Sequence, residues 1–243
     1  MKKCVLVTGA NHGLGLSLIK VFLAQGFTVI AGVYQAHDDS EIRSIEADEN
    51  LHLVSMDVSD TQCVKEAADF ISGSIDSLDI IINNVGILCR DSFSDEDKTI
   101  LGSPDVDSML ETFNVNALGA IRVANAFSRL LLKSSDKLLI NISSEAGSVS
   151  DCARTHMFGY CMSKTAMNMA GALIHNELAK HGGQVWQIHP GWMQTFMHGE
   201  KNEKADYSPD YSAECIYNLI QNAEAYKSQS AIFMDLFGKH IPW

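Results

Sequence analysis

The sequence predicts a doubly wound α/β fold, one parallel sheet with helices on both faces, from three observations. Short apolar, β-rich runs alternate with helical patterns along the chain, the order that builds parallel strands joined by crossover helices. Two of those runs, Ile80-Ile81-Ile82 and Leu138-Leu139-Ile140, are apolar without alternation, as strands buried on both faces are. A glycine-rich turn, Gly9-Ala10-Asn11-His12-Gly13-Leu14-Gly15, stands directly between the first apolar run and a helical pattern.

Residues 2–8 form the first strand, and Leu14, Leu18, Val21, Phe22 and Leu23 then recur at helical spacing before Gly26. Between them the glycines serve a tight turn, close approach of backbone amides to phosphate, and close packing of helix on strand. The helix N-terminus adds unpaired N–H groups and a positive dipole end. The spacing is G-x-x-x-G-x-G, and in this setting it reads as a nucleotide-binding turn made by Gly9, Asn11, His12, Gly13, Leu14 and Gly15. Further strands are expected at 28–33, 51–56, 79–82, 137–142, 184–189 and 230–234, with helices between them, two of them at 107–133 and 160–180. Ligands of such sheets bind at the carboxyl ends of the strands. There the sequence has Val33-Tyr34, Asp57-Val58, Asn83-Asn84-Val85-Gly86, Ser143-Ser144 and His189-Pro190-Gly191. Taken singly, these are turn residues, helix caps and a common loop dipeptide. Their occurrence at successive strand ends points to one site. Two polar stretches, 88–104 and 192–209, are long enough to be lids or mobile segments, and 192–209 is assigned as the substrate lid.

A chain of 243 residues with 46% hydrophobic and 20% charged content suits one large single-core domain, taken as residues 1–243. No apolar run has membrane-spanning length, and Met1-Lys2-Lys3 leads into a strand and not into a signal peptide, so a cytoplasmic protein is expected. Cys4, Cys63, Cys89, Cys152, Cys161 and Cys215 show no C-x-x-C pair and no Cys/His ligand spacing, which favours free thiols and no metal. The net charge of −12 opposes nucleic acid and anionic membrane as partners. It leaves room for a phosphate-bearing cofactor, because backbone amides bind an anion locally.

In Tyr160-Cys161-Met162-Ser163-Lys164 the tyrosine and lysine lie one helical turn apart on one face. A free phenol titrates near ~10, and a fixed cation beside it is expected to move that value down toward working pH.

Together these residues resemble the short-chain dehydrogenase/reductase family, in its short single-domain form, over essentially the whole chain. The resemblance is carried by Thr8-Gly9-x-x-x-Gly13-x-Gly15, Asp57-Val58, Asn83-Asn84-Val85-Gly86, Asn116-Ala117-Leu118-Gly119, Ser144, Tyr160-x-x-x-Lys164 and Pro190-Gly191-x-x-x-Thr195. His189-Pro190-Gly191-Trp192 and the ending Phe237-Gly238-Lys239-His240-Ile241-Pro242-Trp243 further resemble the sniffer and C-factor-like carbonyl reductase branch. The resemblance implies a Rossmann-type domain and an oxidoreductase that moves hydride between a nicotinamide cofactor and a carbonyl or secondary alcohol. It assigns Tyr160 as general acid and base, and Lys164 to the phenol and the ribose hydroxyls. Ser144 polarises the substrate carbonyl, with Ser143 as rival, and Asn116 holds a relay water near Lys164. Tyr34, Asp57, Val58, Asn83, Val85, Gly86, Pro190, Gly191, Met193 and Thr195 join the glycine turn as cofactor-binding residues.

NADP(H) is favoured over NAD(H), because no carboxylate stands at Val33-Tyr34 and His12 is placed to donate to a 2′-phosphate. Asp38 and Asp39 would oppose that phosphate if they faced it. Cys89, Arg90, His156, Met157, Phe158, Trp192, Met193, Phe196 and Met197 suggest an apolar pocket for a medium-sized aldehyde or ketone. A homodimer or homotetramer is expected through a four-helix bundle of helices 107–133 and 160–180. A non-catalytic nucleotide sensor on the same fold and a sugar-nucleotide epimerase or dehydratase are the competing classes.

Overall fold

A computed structural model describes residues 2–34, 40–89, 98–197, 199 and 201–243. Arg90, Asp91, Asp95 and Asp97, Asp38 and Asp39, and His198 and Glu200 of the lid lie outside them. Seven strands, β1 (Cys4–Thr8), β2 (Thr28–Val33), β3 (Leu51–Ser55), β4 (Ile80–Asn83), β5 (Leu138–Ile142), β6 (Gln184–His189) and β7 (Ile232–Asp235), form one parallel sheet in the order β3-β2-β1-β4-β5-β6-β7. The order reverses between β1 and β4, which pair Val5 with Ile80 and Val7 with Ile82. In doubly wound sheets a crevice opens beyond the carboxyl ends at such a reversal, and ligands bind there.

Two apolar cores follow from sheet strands with both faces covered. On one face α1 (Gly13–Ala24), α2 (Ser40–Arg43) and α7 (Pro209–Gln221) bring Leu18, Phe22, Ile42, Ile216 and Leu219 against Val5, Val29 and Ile188. On the other, α3 (Thr61–Ser72), α5 (Gly119–Lys133) and the end of α6 (Phe158–Leu178) bring Val64, Ile71, Phe127, Leu131 and Leu178 against Leu6, Ile81 and Leu139. Short side chains start several helices: the Asp60 carboxylate accepts from Gln62 N–H at 2.7 Å, and Ser208 Oγ accepts from Tyr211 N–H at 3.1 Å.

The strands fall within a residue or two of expectation, but the expected helix 107–133 is interrupted. It runs as α4 (Val106–Phe113), a π-helical turn at Asn114–Leu118, and α5. The widened turn aims the fully buried Asn116 inward, while the Arg122 guanidinium on the next turn donates to Asn114 O at 3.0 Å. Gly119 follows because a Cβ there would lie 2.9 Å from Val58 Cγ2, at the chain leaving β3.

A polar rung crosses the apolar sheet. Asn83 pairs in register with Asn141, and Asn141 with Gln187, through Nδ2–Oδ1 and Nδ2–Oε1 hydrogen bonds of 2.8 and 2.9 Å. Asn83, expected to meet cofactor, thus gives its side-chain amide N–H to the sheet, while its Oδ1 is buried without a partner among the described residues.

Candidate active site

The glycine turn is shaped by what a side chain would strike. Gly9 and Gly13 stand at φ +67° and +57°, in the left-handed region that favours glycine. A Cβ on Gly15 would lie 2.1 Å from Gly9 O. Asn11 ties this turn to the end of β2, accepting from Tyr34 N–H at 2.9 Å and donating to Tyr34 O at 3.2 Å. Asn84 ties it to the end of β4 by donating to Thr8 O and Gly9 O at 3.0 and 3.2 Å. At the N-terminus of α1, His12 supplies no side-chain cap and no acidic residue occupies the first turn, so the leading amides face the crevice without a side-chain partner. Thr195 Cγ2 is the nearest atom to the open side of Gly13. This donor set, with open space beside Gly13 and close packing at Gly9 and Gly15 that only glycine permits, fits the pyrophosphate of a dinucleotide. Asp57 and Val58 lie at the neighbouring strand end, where the Asp57 carboxylate accepts from Ser59 N–H at 2.8 Å and Val58 is buried.

The remaining candidates meet at the ends of β4, β5 and β6. Strand alternation separates the two serines: Ser143 Oγ donates to Asn168 Oδ1 at 2.6 Å inside the protein, whereas Ser144 Oγ donates to Glu145 Oε2 at 2.6 Å, on the side where its hydroxyl acts on the Tyr160 phenol. Tyr160 and Lys164 occupy the first two turns of α6, entered through Met157 at φ +65°. Lys164 is buried and its Nζ donates to Ile142 O, the last carbonyl of β5, at 2.8 Å. Gly86 leaves the floor open: a Cβ there would lie 3.3 Å from Lys164 Nζ, 3.7 Å from Met197 Cε and 3.8 Å from Asn116 Oδ1. Asn116 accepts from Ile87 N–H at 2.8 Å and donates to Ile87 O and Ser163 Oγ at 2.9 and 3.0 Å. The side chain expected to hold a relay water thus braces the chain after β4 against α6, with one lone pair of Oδ1 still to spare.

One expectation is corrected. Burial pushes the Tyr160 phenol up to about 12, with the Ser144 hydroxyl pulling the other way and the Glu145 charge adding to the rise. Burial likewise pushes Lys164 down to about 8. In the protein alone desolvation, which penalises both charged forms, outweighs the pairing that the sequence suggests.

The lid is stapled at its base. Gly191, at φ +79°, passes so close to Tyr207 that a Cβ would lie 2.6 Å from the ring. Gln194 N–H donates to Tyr207 O at 2.9 Å, Tyr207 N–H to Trp192 O at 3.1 Å, and Asn202 N–H to Thr195 O at 3.1 Å. Ala205 is buried, and Ser212 Oγ donates to Pro190 O at 2.9 Å. Phe196, Met197 and Trp192 remain exposed above the crevice. Of the other pocket candidates, Cys89 is buried with its Sγ 2.9 Å from Ser108 Oγ, while His156, Met157 and Phe158 are half-buried on the approach to Tyr160. Sequence reasoning missed Glu145 and Arg154, which adjoin Ser144 and Tyr160. The only signal was a charge placed directly after the strand-end serines.

A model of the short chain dehydrogenase family matches residues 3–206. The chain belongs to that family. An uncharacterized oxidoreductase of Schizosaccharomyces pombe is 28% identical over 99% of this chain and 98% of its own length. Estradiol 17-beta-dehydrogenase 2 of Rattus norvegicus is 32% identical over 83% of this chain and 51% of its own. Among solved structures, the NADPH-bound carbonyl reductase from chicken fatty liver superposes with a TM-score of 0.87 at 28% identity, covering 100% of this chain and 94% of that one. The carbonyl reductase Sniffer of D. melanogaster shares the fold at a TM-score of 0.88 and 23% identity, each chain covered in full. This short-chain dehydrogenase is an NAD(P)-dependent oxidoreductase that transfers hydride between a nicotinamide cofactor and a small-molecule carbonyl or alcohol, and the glycine turn described above suits that cofactor. Among the described residues, no helix is long and apolar enough to cross a membrane.

Proposed function

We propose that this enzyme is an NADPH-preferring carbonyl reductase in which Tyr160 exchanges the proton. The observation that carries the reading is the buried Lys164, anchored on Ile142 O two residues before Ser144 and one helical turn after Tyr160, at the end of a crevice whose other end is an amide-lined glycine turn. When bound, the reduced nicotinamide supplies the hydride. Tyr160 gives its phenolic proton to the carbonyl oxygen, and in the reverse direction takes the alcohol's proton. Lys164, anchored on β5, holds the ribose hydroxyls and favours the phenolate left behind. Asn116 fixes the backbone of Ile87 beside it. Gly9, Asn11, His12, Gly13, Leu14 and Gly15 hold the pyrophosphate and adjoining ribose, with Tyr34, Asp57, Val58, Val85, Gly86, Pro190, Gly191, Met193 and Thr195 along the rest of the cofactor.

The preference for NADPH rests on the absence of a carboxylate at Val33-Tyr34, on the exposed His12, and on the NADPH of the chicken relative. Leu110, Leu118 and Ile121 before and on α5, and Met162, Met169 and Leu173 on α6, are exposed apolar side chains. They support a homodimer or homotetramer, and a cytoplasmic setting fits the free thiols. The test is oxidation of NADPH or NADH, followed by absorbance, against a panel of aldehydes, ketones and quinones. Turnover faster with NADPH supports the reading, and no turnover on any carbonyl overturns it.

A further inference from the structure

Ser144 and Tyr160 do not stand alone. Ser144 Oγ lies 2.6 Å from Glu145 Oε2, the length of a hydroxyl donating to a carboxylate. Glu145 sits in the short turn Glu145–Gly147 after β5 and is fastened from two other parts of the chain. Arg154, in the segment before α6, pairs with Oε1, and His189 Nδ1, at the end of β6, lies 3.3 Å from Oε2. Burial pushes the Glu145 carboxyl up, but the Ser144 hydroxyl, His189 and Arg154 together hold it below its ordinary value, so it is ionised at neutral pH. The Glu145 side chain is 45% exposed, but its carboxylate is fixed in place by the Ser144 hydroxyl and the Arg154 guanidinium.

A serine hydroxyl has one hydrogen and two lone pairs. One lone pair accepts from Ala146 N–H at 3.1 Å. The hydrogen is contested: either it goes to Glu145, or it goes to the Tyr160 oxygen, where it would favour phenolate.

We propose that Glu145 is a positioning residue, whose carboxylate takes the Ser144 hydrogen, leaves the serine oxygen to accept from the phenol, and so keeps Tyr160 in the protonated form that reduces a carbonyl. The inference rests on Tyr160 being the group that exchanges the proton. The other charged or titratable groups facing the phenol are Arg154, Cys161 on its own helix and Lys164, whose Nζ lies 5.8 Å from the ring centre. Behind Glu145 stands His189, itself faced by Asp235 of β7. Of these, Glu145 alone both carries negative charge toward Tyr160 and competes for the hydrogen of its partner, and the two effects have the same sign.

The experiment follows the Cζ resonance of carbon-13-labelled tyrosine with pH in the cofactor-free protein, Tyr160 being assigned from its loss in Tyr160→Phe. In Glu145→Gln, Tyr160 is expected to begin ionising about one pH unit lower than in the wild type. The high-pH limb of carbonyl reduction should move the same way. Glu145→Asp keeps the charge beside Arg154 but falls short of Ser144, and should show a smaller shift in the same direction. In a Ser144→Ala background the Glu145→Gln shift should shrink to a small remainder. An unmoved Tyr160 resonance in both Glu145 variants overturns the proposal, as does an equal shift with and without Ser144, which would make Glu145 a charge acting through space. The resonance needs no turnover. An inactive wild type would therefore count against the carbonyl reductase reading alone.

Discussion

Lys164 Nζ donates to the Ile142 carbonyl oxygen at 2.8 Å and stands 5.8 Å from the centre of the Tyr160 ring. The lysine is thus fixed to the carboxyl end of β5 and not to the phenol. This places a buried cation with further N–H donors at the open floor beside Gly86, where a ribose would meet it. Lys164→Met should weaken cofactor binding by about 1.5–3 kcal/mol, the worth of hydrogen bonds to a charged group, and should also slow turnover. Calorimetric titration with NADPH measures the first, and an unchanged affinity would remove Lys164 from the ribose.

Tyr160→Phe removes only the proton-exchanging oxygen and keeps the ring. Turnover should fall by about 10²–10⁴, the usual worth of positioned proton transfer, while NADPH affinity stays within experimental error. Appreciable residual reduction would show that another group delivers the proton.

What the sequence made legible was local in the chain. The glycine turn, the alternation of strand and helix, and the Tyr160–Lys164 spacing each lie within one or two elements, where periodicity speaks. The choice between Ser143 and Ser144 needed the packing of α6 on β5, which occupies Ser143 with Asn168. Asn83 sits at the expected strand end, yet its amide is drawn into the sheet by Asn141 on a strand far along the chain. The π-helical turn at Asn114–Leu118 keeps a helical apolar pattern, so nothing in the spacing marks it. The rise of the Tyr160 phenol could not be read at all, because desolvation is a property of the folded environment.

Gly15→Ala tests the cradle. The added Cβ would lie 2.1 Å from Gly9 O, a backbone atom that cannot yield as a side-chain end can, so the turn must open and its amides lose their common focus. The variant should fold, as the glycine lies at the crevice end of α1, but should bind NADPH at least ~10-fold more weakly. Fluorescence titration of the reduced cofactor reads this directly, and wild-type affinity would mean that the dinucleotide lies elsewhere.

His175 is fully buried in α6, its Nδ1 accepting from Val185 N–H at 3.3 Å. Burial pushes its pKa below the ordinary 6.5, against the pull of the Gln229 backbone. Above 6.5 the imidazole is neutral in folded and unfolded chains alike, and the contribution is fully present. As pH falls below that value the unfolded chain takes up a proton that the folded one resists, and stability is lost. The thermal midpoint should drop by several degrees between about pH 7.5 and about pH 5.5, and His175→Gln should flatten that slope. An equal slope in both proteins would assign the acid sensitivity to other groups, His189 first among them.

The lid prediction follows from how its base is held. Trp192, Gln194 and Thr195 exchange backbone hydrogen bonds with Tyr207 and Asn202, and Ala205 is buried, so the strands of the stem are fixed without cofactor. Among the described residues of the excursion between them, Gly199 N–H donates to Phe196 O at 2.8 Å, Lys201 O accepts from Glu203 N–H at 3.0 Å, and the side chains Phe196 and Met197 are exposed. Little burial there offsets the entropy of ordering, whereas a bound nicotinamide would give Met193, Thr195 and Met197 something to close on. Amide hydrogen exchange should therefore slow on NADPH binding at Phe196, Met197, Gly199 and Lys201, and change little at Gln194 and Tyr207. Closure of that kind excludes water from the transferring hydride. Equal protection of the excursion in both states would make it a rigid surface loop, and the exclusion of water would have to come from the substrate itself.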